Sequence, residues 1–208
     1  PVAIAEGAIY ADALGTWEHE IRDRKRDEDF ITWSITLEQD VGDDAMMFAT
    51  VSTGVKGGGF DGRFLRATDD DQFFEYEDEQ ATNYELGIKS TLLDGAMTLN
   101  AAVFFVTVED FQVSIFDGAT AFFVQNAAEI ESKGVELDMR WAATDNLTVG
   151  FAGTFLDNEY SDFPNAPCWS GTAENNRGDC VGRDTADAYR DASGDRNMFS
   201  PEWAYNLN

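Results

Sequence analysis

His19 is the only histidine in the chain and stands between Glu18 and Glu20. A Ser-His-Asp or Cys-His nucleophilic arrangement would rest on that one imidazole, placed in a charged stretch. Carboxylate pairs for glycosidic acid–base work are abundant among 40 acidic residues, and that abundance makes any single pair uninformative. Asp191-Ala192-Ser193-Gly194-Asp195-Arg196-Asn197, with Glu202 at the twelfth position, has the oxygen donors of a calcium loop. It has Arg196 where an EF-hand loop needs glycine, and it lacks flanking helices. Asp69-Asp70-Asp71 reads as a solvated loop tip. No catalytic residue, metal site or cofactor is expected, and the chain is not read as an enzyme. Cys168 and Cys180 are spaced for neither a CxxC redox pair nor a zinc site. In an oxidising compartment they are expected to form a disulfide that closes a surface loop and narrows its conformations.

The net charge of −26 excludes nucleic acid as a partner, because phosphate backbones are bound through clustered Lys and Arg and their counterion release. With 43% hydrophobic and 26% charged residues, the chain is far from a disordered composition and can bury a core. Eighteen Gly against four Pro, 13% aromatic residues and many Thr and Val point to strands joined by glycine turns. No apolar run approaches the roughly 18 residues of a transmembrane helix. The mean hydropathy of −0.34 is no evidence of solubility, since a membrane barrel alternates lipid-facing apolar residues with polar lumenal ones. The segment Pro1–Glu6 has no basic region or long apolar run and is not a signal peptide. The chain is expected to begin either after processing or within something larger.

The elements that must position any site alternate with period two. Ile31, Trp33, Ile35 and Leu37 alternate with Thr32, Ser34 and Thr36. The pattern returns at Tyr84-Leu86-Ile88, at Val135-Leu137-Met139-Trp141 and at Leu147-Val149-Phe151-Phe155. Met46 to Val55, Met97 to Phe116, Ala121 to Ile130 and Trp203 to Leu207 are strand-like, and the start of the chain, Ile4 to Tyr10, is read as one more strand. Short turns at 40–44, 93–95 and 142–146 alternate in chain order with long or polar connections at 20–29, 56–77 and 161–196. The compact loop 117–120 is the exception on that side. In a meander, alternate connections share one rim, so tight turns gather on one side and acidic loops on the other. Met97 to Phe116 and Ala121 to Trp141 exceed the about 9 to 11 residues that cross a bilayer. A soluble β-sandwich used for adhesion is the competing architecture, and it requires a second sheet over the apolar face.

Three segments carry a family resemblance. Val51-Ser52-Thr53-Gly54-Val55-Lys56-Gly57-Gly58-Gly59-Phe60 resembles a strand and its glycine-rich loop entry in TonB-dependent outer-membrane receptors. Glu79 to Ser90, closed by Leu93-Asp94-Gly95, is similar to the same family. So is the run from Asp110-Phe111-Gln112 through Asn126-Ala127-Ala128 to Glu131-Ser132-Lys133-Gly134-Val135-Glu136-Leu137. The resemblance covers roughly residues 31 to 160, with an echo at Ser200-Pro201-Glu202-Trp203. Val55 stands where many relatives carry an aromatic residue. No plug domain, TonB box or barrel-closing terminal aromatic is recognisable. By their own chemistry, Gly57 to Gly59 suit positive φ at a loop entry, and Gly87 and Gly134 suit a bulge or a close backbone approach. Glu85, Lys89, Glu136 and Arg140 lie on polar faces, where they either pair across strands or are simply solvated.

The resemblance implies an all-β, antiparallel up-and-down transmembrane barrel with long extracellular loops and short periplasmic turns. Residues 1–208 would be part of a barrel of about 22 strands. It implies residence in a Gram-negative outer membrane, in contact with its lipid. It further implies uptake of a bulky, scarce solute (an iron-siderophore, a cobalamin or an oligosaccharide) energised by the TonB–ExbB–ExbD complex through the missing plug region. Loops 56–77 and 161–196 would form the vestibule, where Phe60, Arg63, Phe64, Trp169, Arg177 and Arg183 would meet a small-molecule or chelate ligand. Ile31, Trp33, Ile35, Leu137, Met139, Trp141, Val149 and Phe151 are expected on one outer face, with Val149 near mid-membrane.

Overall fold

The computed structural model describes residues 25–61, 75–116, 122–168, 189–198 and 200–208. Its strands are β1 (Ser34–Asp40), β2 (Ala45–Lys56), β3 (Gly59–Phe60), β4 (Glu75–Tyr76), β5 (Glu79–Leu92), β6 (Met97–Phe116), β7 (Phe122–Thr144), β8 (Leu147–Asp162), β9 (Ala166–Pro167), β10 (Tyr189–Arg190) and β11 (Trp203–Leu207). Seven of them form one antiparallel sheet in the order β1-β2-β5-β6-β7-β8-β11, while β3–β4 and β9–β10 are two-stranded ribbons beside it. Among the described residues the sheet is open: β1 pairs only with β2 and β11 only with β8. The strand expected at Ile4 to Tyr10 lies outside the described residues.

The alternation dictates these strands, and turn chemistry fixes where they stop. Gly42 at φ 72° and Gly95 at φ 88° take left-handed conformations in the β1–β2 and β5–β6 turns. Leu93 and Asp94 also turn with φ of 57° and 53°, a conformation that a branched apolar side chain adopts only under constraint. β1 begins three residues later than the alternation suggests, because the Trp33 N–H donates to the Thr53 hydroxyl at 3.2 Å rather than to a ladder carbonyl. β7 is one continuous strand of 23 residues, with register shifts at Glu129/Ile130 and Ala142/Thr144.

Directly opposed residues share a face, so the register divides the sheet in two. On one face run the rungs Leu92–Met97–Trp141–Val149, Ser90–Leu99–Met139–Phe151–Leu207, Met47–Ile88–Ala101–Leu137–Gly153–Tyr205 and Leu37–Ala49–Leu86–Val103–Val135–Phe155–Trp203. Ile35–Val51–Tyr84–Phe105–Lys133 closes the band at the loop side. From Trp141 to Lys133 it rises about 27 Å along the strand at about 3.4 Å per residue, comparable to the roughly 25 Å apolar band of a membrane barrel. The outer-face residues expected within the ladder do share this side. Val149, however, opposes Trp141 one rung from the turn, so it sits at the turn-side girdle and the middle of the band falls at Leu137. The alternation gives a residue's side but not its height, which depends on the register with neighbouring strands.

No large side chain is fully buried among the described residues, and Ile31, Leu37 and Tyr205 on the apolar side are 90, 72 and 81% exposed. A sandwich would bury this face under a second sheet; here no layer covers it among the described residues. The opposite face carries Glu38, Glu85, Lys89, Glu136, Asp138 and Arg140.

Two glycines on that polar face make room for aromatic rings. A Cβ on Gly87 would lie 2.4 Å from the ring of Phe48, its direct cross-strand partner, and one on Gly134 would lie 2.6 Å from Phe104 and 2.4 Å from the Phe155 carbonyl. Neither position is a bulge, because the ladder is continuous through both. The bulge lies instead between Val108 and Phe111, where Asp110 takes φ 54°.

Candidate functional site

All the short turns lie at one end of the sheet and the loop anchors at the other. There the β6–β7 hairpin extends past its neighbours, and three loop segments are fastened to it. The first is the strap 25–30 with the β3–β4 ribbon. Arg26 donates to Glu75 at 2.9 Å, to Glu77 at 2.5 Å, and to Glu28. The Gly58 N–H donates to Glu28 at 3.2 Å. Gly57, Gly58 and Gly59 do not take the positive φ expected of them; they are needed for space. A Cβ on Gly58 would meet the Tyr76 carbonyl at 2.4 Å and Arg26 at 2.9 Å, and one on Gly59 would meet the Tyr76 hydroxyl at 2.7 Å.

The second fastening is a side-chain imitation of a strand. Gln112 and Asn126 are directly opposed on β6 and β7. Asn126 accepts the Glu77 N–H at 2.7 Å through Oδ1 and donates Nδ2 to the Glu77 carbonyl at 2.9 Å. One amide thus makes both hydrogen bonds that a neighbouring strand would supply. Gln112 Nε2 donates to the same Glu77 carbonyl at 3.1 Å and to the Gly57 carbonyl at 3.0 Å. Asp61, 5% exposed, accepts the Val124 N–H at 2.9 Å.

The third is a small apolar cluster in which Phe163, Ala166 and Ala192 pack on Ala128 of β7, flanked by Phe111, Val113, Ala127 and Tyr160. The segment compared above with a calcium loop is a structural turn here. The Asp191 carboxylate accepts the Ser193 N–H at 2.8 Å, Gly194 takes φ 79°, and Arg190 pairs with Asp195 at 2.6 Å. The Ser193 hydroxyl and amide hold the Asp191 carboxyl below its ordinary range.

Arg26 holds the Glu77 carboxyl below the usual 4.5, chiefly by hydrogen bonding, and Glu77 in turn raises the already high Arg26 value. A depressed carboxyl value means that the bond's contribution is present above pH 4.5 and is lost as pH falls through the lowered folded value. Limited proteolysis by an acid protease, run from about pH 5 to about pH 3, is expected to begin cutting within 25–30 only toward the acid end. Arg26→Ala should allow the same cuts at the upper pH, and equal cutting throughout the range would rule out the strap's dependence on this pair.

Of the residues expected to meet a solute, Phe60 is placed in β3, half-buried and paired with Glu75. Arg63, Phe64, Trp169, Arg177 and Arg183 lie outside the described residues, as do His19 and Asp69 to Asp71. Cys168, just after β9, is disulfide-bonded; Cys180 lies outside the described residues. On the polar wall, Glu85, Lys89, Glu136 and Arg140 do not pair with one another. Lys89 is flanked by Met46 and Asn100 and lies 5.3 Å from the Phe48 ring centroid, while Glu136 is flanked by Ala102 and Thr154. The register puts their opposite charges on different rungs. Phe48, Glu85, Lys89, Asn100, Glu136 and Asp138 line a shallow open depression there.

The family model for a TonB dependent receptor-like β-barrel matches residues 10–208. The chain belongs to the TonB-dependent receptor β-barrel family. Among solved structures it is similar to the siderophore receptor PiuA from Acinetobacter baumannii, at 20% identity and a TM-score of 0.59, over 86% of this chain and 23% of that one. It is also similar to the ferric-catecholate import receptor Fiu from Escherichia coli K12, at 14% identity and a TM-score of 0.58, over 98% of this chain and 26% of that one. The ferric yersiniabactin uptake receptor FyuA from Yersinia pestis is similar at 18% identity and a TM-score of 0.53, over 84% and 22%. The likeness carries the fold, and the chain spans about a quarter of each of these receptors' length.

The segments that carried the resemblance are therefore a TonB-dependent receptor's wall and loop anchors. Asp110-Phe111-Gln112 supplies the bulge and one amide of the clamp, and Asn126-Ala127-Ala128 supplies the other amide and the seat for Phe163. Nothing in the sequence marked Asn126 as a strand substitute, because its partner Glu77 is 49 residues away. Asn126→Leu in this receptor is expected to raise the hydrogen-exchange rate of the Glu77 amide by at least about tenfold, the equivalent of one lost net hydrogen bond of roughly 1.4 kcal/mol. Unchanged exchange at Glu77 would mean that the clamp does not hold the segment.

Proposed function

We propose that this chain forms part of the barrel wall and outer vestibule of a Gram-negative outer-membrane receptor that imports a siderophore-class iron chelate. The observation that carries the reading is an apolar sheet face that no layer covers among the described residues, with the clamped loop segments described there at the rim opposite the short turns, in a chain of the TonB-dependent receptor family. The similar solved structures are a siderophore receptor, a ferric-catecholate import receptor and a ferric yersiniabactin uptake receptor, which favours a chelate over cobalamin or an oligosaccharide. Energy comes from TonB–ExbB–ExbD through a plug domain supplied by the full-length receptor, whose barrel has about 22 strands. Phe60, Arg63, Phe64, Trp169, Arg177 and Arg183 are proposed as the aromatic and basic groups of the outer loops that meet the solute.

The test is uptake of radioactive iron by cells in which the full-length receptor is the sole route for the chelate supplied. Uptake that disappears on deletion of TonB is expected. Uptake that persists without TonB would mark a passive pore and sink the reading, as would no uptake of any chelate. Cys168 and Cys180 are proposed to pair, closing the outer loop. Intact cells should take up a thiol label at both positions only after reduction, and labelling without reductant would refute the pairing.

A further inference from the structure

Beyond the wall, the β6–β7 hairpin runs on without a strand of the sheet beside it among the described residues. The ladder to β5 ends at the pair Gln80–Glu109 and the ladder to β8 at Glu129–Asp162, while β6 and β7 go on pairing with each other as far as Phe116 and Phe122. At the base of this extension Asp110 takes φ 54° and the register shifts. A two-stranded ribbon is at best marginally stable in water, so its order depends on what covers it.

It is covered on both faces, and by different loops. On one face Gln112 and Asn126 hold the main chain of Glu77. On the other, Phe111 and Val113, the residues on either side of Gln112, pack with Ala128 against Phe163, Ala166 and Ala192, as the alternation of side chains along a strand requires. Both stems are themselves tied. The Glu79 carboxylate accepts the Gln112 N–H at 3.0 Å, and Asp61 accepts that of Val124 at 2.9 Å. Across the hairpin, the Ser193 hydroxyl accepts the Phe163 N–H at 2.9 Å, and the Phe163 carbonyl accepts the Ala192 N–H at 2.9 Å.

We propose that the hairpin extension and these two loop stems order and loosen as one cooperative unit, hinged at the Asp110 bulge, while the wall strands stay closed. Coupling between two places needs an element whose equilibrium both of them bias, and the ribbon is that element. Each stem stabilises its ordered form. Loss of one cover returns conformational freedom to the ribbon, and the other stem then finds its partners in place for less of the time. β5, in contrast, is hydrogen-bonded to β2 on one side and to β6 on the other, so it does not depend on either stem. A solute that orders one outer loop at its stem thereby favours order in the other, whatever the solute is.

The test is hydrogen exchange of the full-length receptor in lipid vesicles, read by mass spectrometry on short peptides. Asn126→Leu removes the amide clamp on one face, and it is expected to speed exchange of the Ala192 amide on the other face by at least about threefold. Ser193→Ala removes one tie of the apolar stem and none of the groups that hold Glu77, yet it should speed exchange at the Glu77 amide. The amides of Tyr84 to Ile88 in β5 should keep their wild-type rates in both variants. Should Asn126→Leu fail to assemble, Ser193→Ala alone decides. Faster exchange confined to the stem that was altered, or no change at either stem, overturns the coupling. Faster exchange in β5 to the same degree would show that the unit is not separate from the wall, and overturns it as well.

Discussion

Leu137→Arg in the full-length receptor is expected to destabilise the folded wall by about 2–4 kcal/mol and to prevent its normal assembly into the outer membrane. Leu137 lies on the middle rung of the apolar face, between Ala101 on β6 and Gly153 on β8. Both neighbours are small, so an arginine there finds no covering side chain and no partner carboxylate on its rung. Near the band's edge a long cationic side chain reaches water by bending along the wall; from the middle rung it does not. Val149→Arg, beside Trp141 at the turn side, should therefore cost much less, about 0–1 kcal/mol. Heat-modifiable electrophoretic mobility of the outer-membrane fraction, together with unfolding in lipid vesicles, measures both. Equal costs for the two substitutions would overturn the assignment of height within the band.

The second large effect is expected from filling the glycine sites beneath the aromatic rings. Gly87→Ala and Gly134→Ala should each cost about 1–3 kcal/mol through overpacking, but removal of the ring should rescue them differently. At Gly87 the tightest neighbour is the Phe48 ring at 2.4 Å, with the Ala101 carbonyl farther off at 2.9 Å. At Gly134 the Phe155 carbonyl itself lies 2.4 Å away, closer than the Phe104 ring. A ring can be deleted, whereas a ladder carbonyl cannot move without breaking the sheet. Phe48→Ala should recover most of the Gly87→Ala loss, and Phe104→Ala little of the Gly134→Ala loss. Two double-mutant cycles on unfolding free energy measure the couplings, and equal rescue at both sites would show that the carbonyl contact is not limiting.

Strand identity was legible in the chain alone because period two is a local property: Met97–Phe116 and Trp203–Leu207 begin and end where the alternation does. The asymmetry of the rims was legible for a similar reason, since turn chemistry is written in residues adjacent in sequence, as at Gly42 and Gly95. The family was legible in short segments whose order survives although their contacts are distant.

Register, height and charge pairing were decided only by the tertiary structure. Val149 read as mid-membrane until its opposition to Trp141 placed it beside the turn. Lys89 and Glu136 could have paired until the ladder set them on different rungs. The glycines at 57–59 and the amides of Gln112 and Asn126 gave no local sign of their work, because what they accommodate or bind, Arg26, Tyr76 and Glu77, arrives from segments far along the chain. A sequence determines which side of a strand each residue takes. Which residue stands opposite it follows from the fit of whole strands to one another, and that fit is a property of the folded sheet.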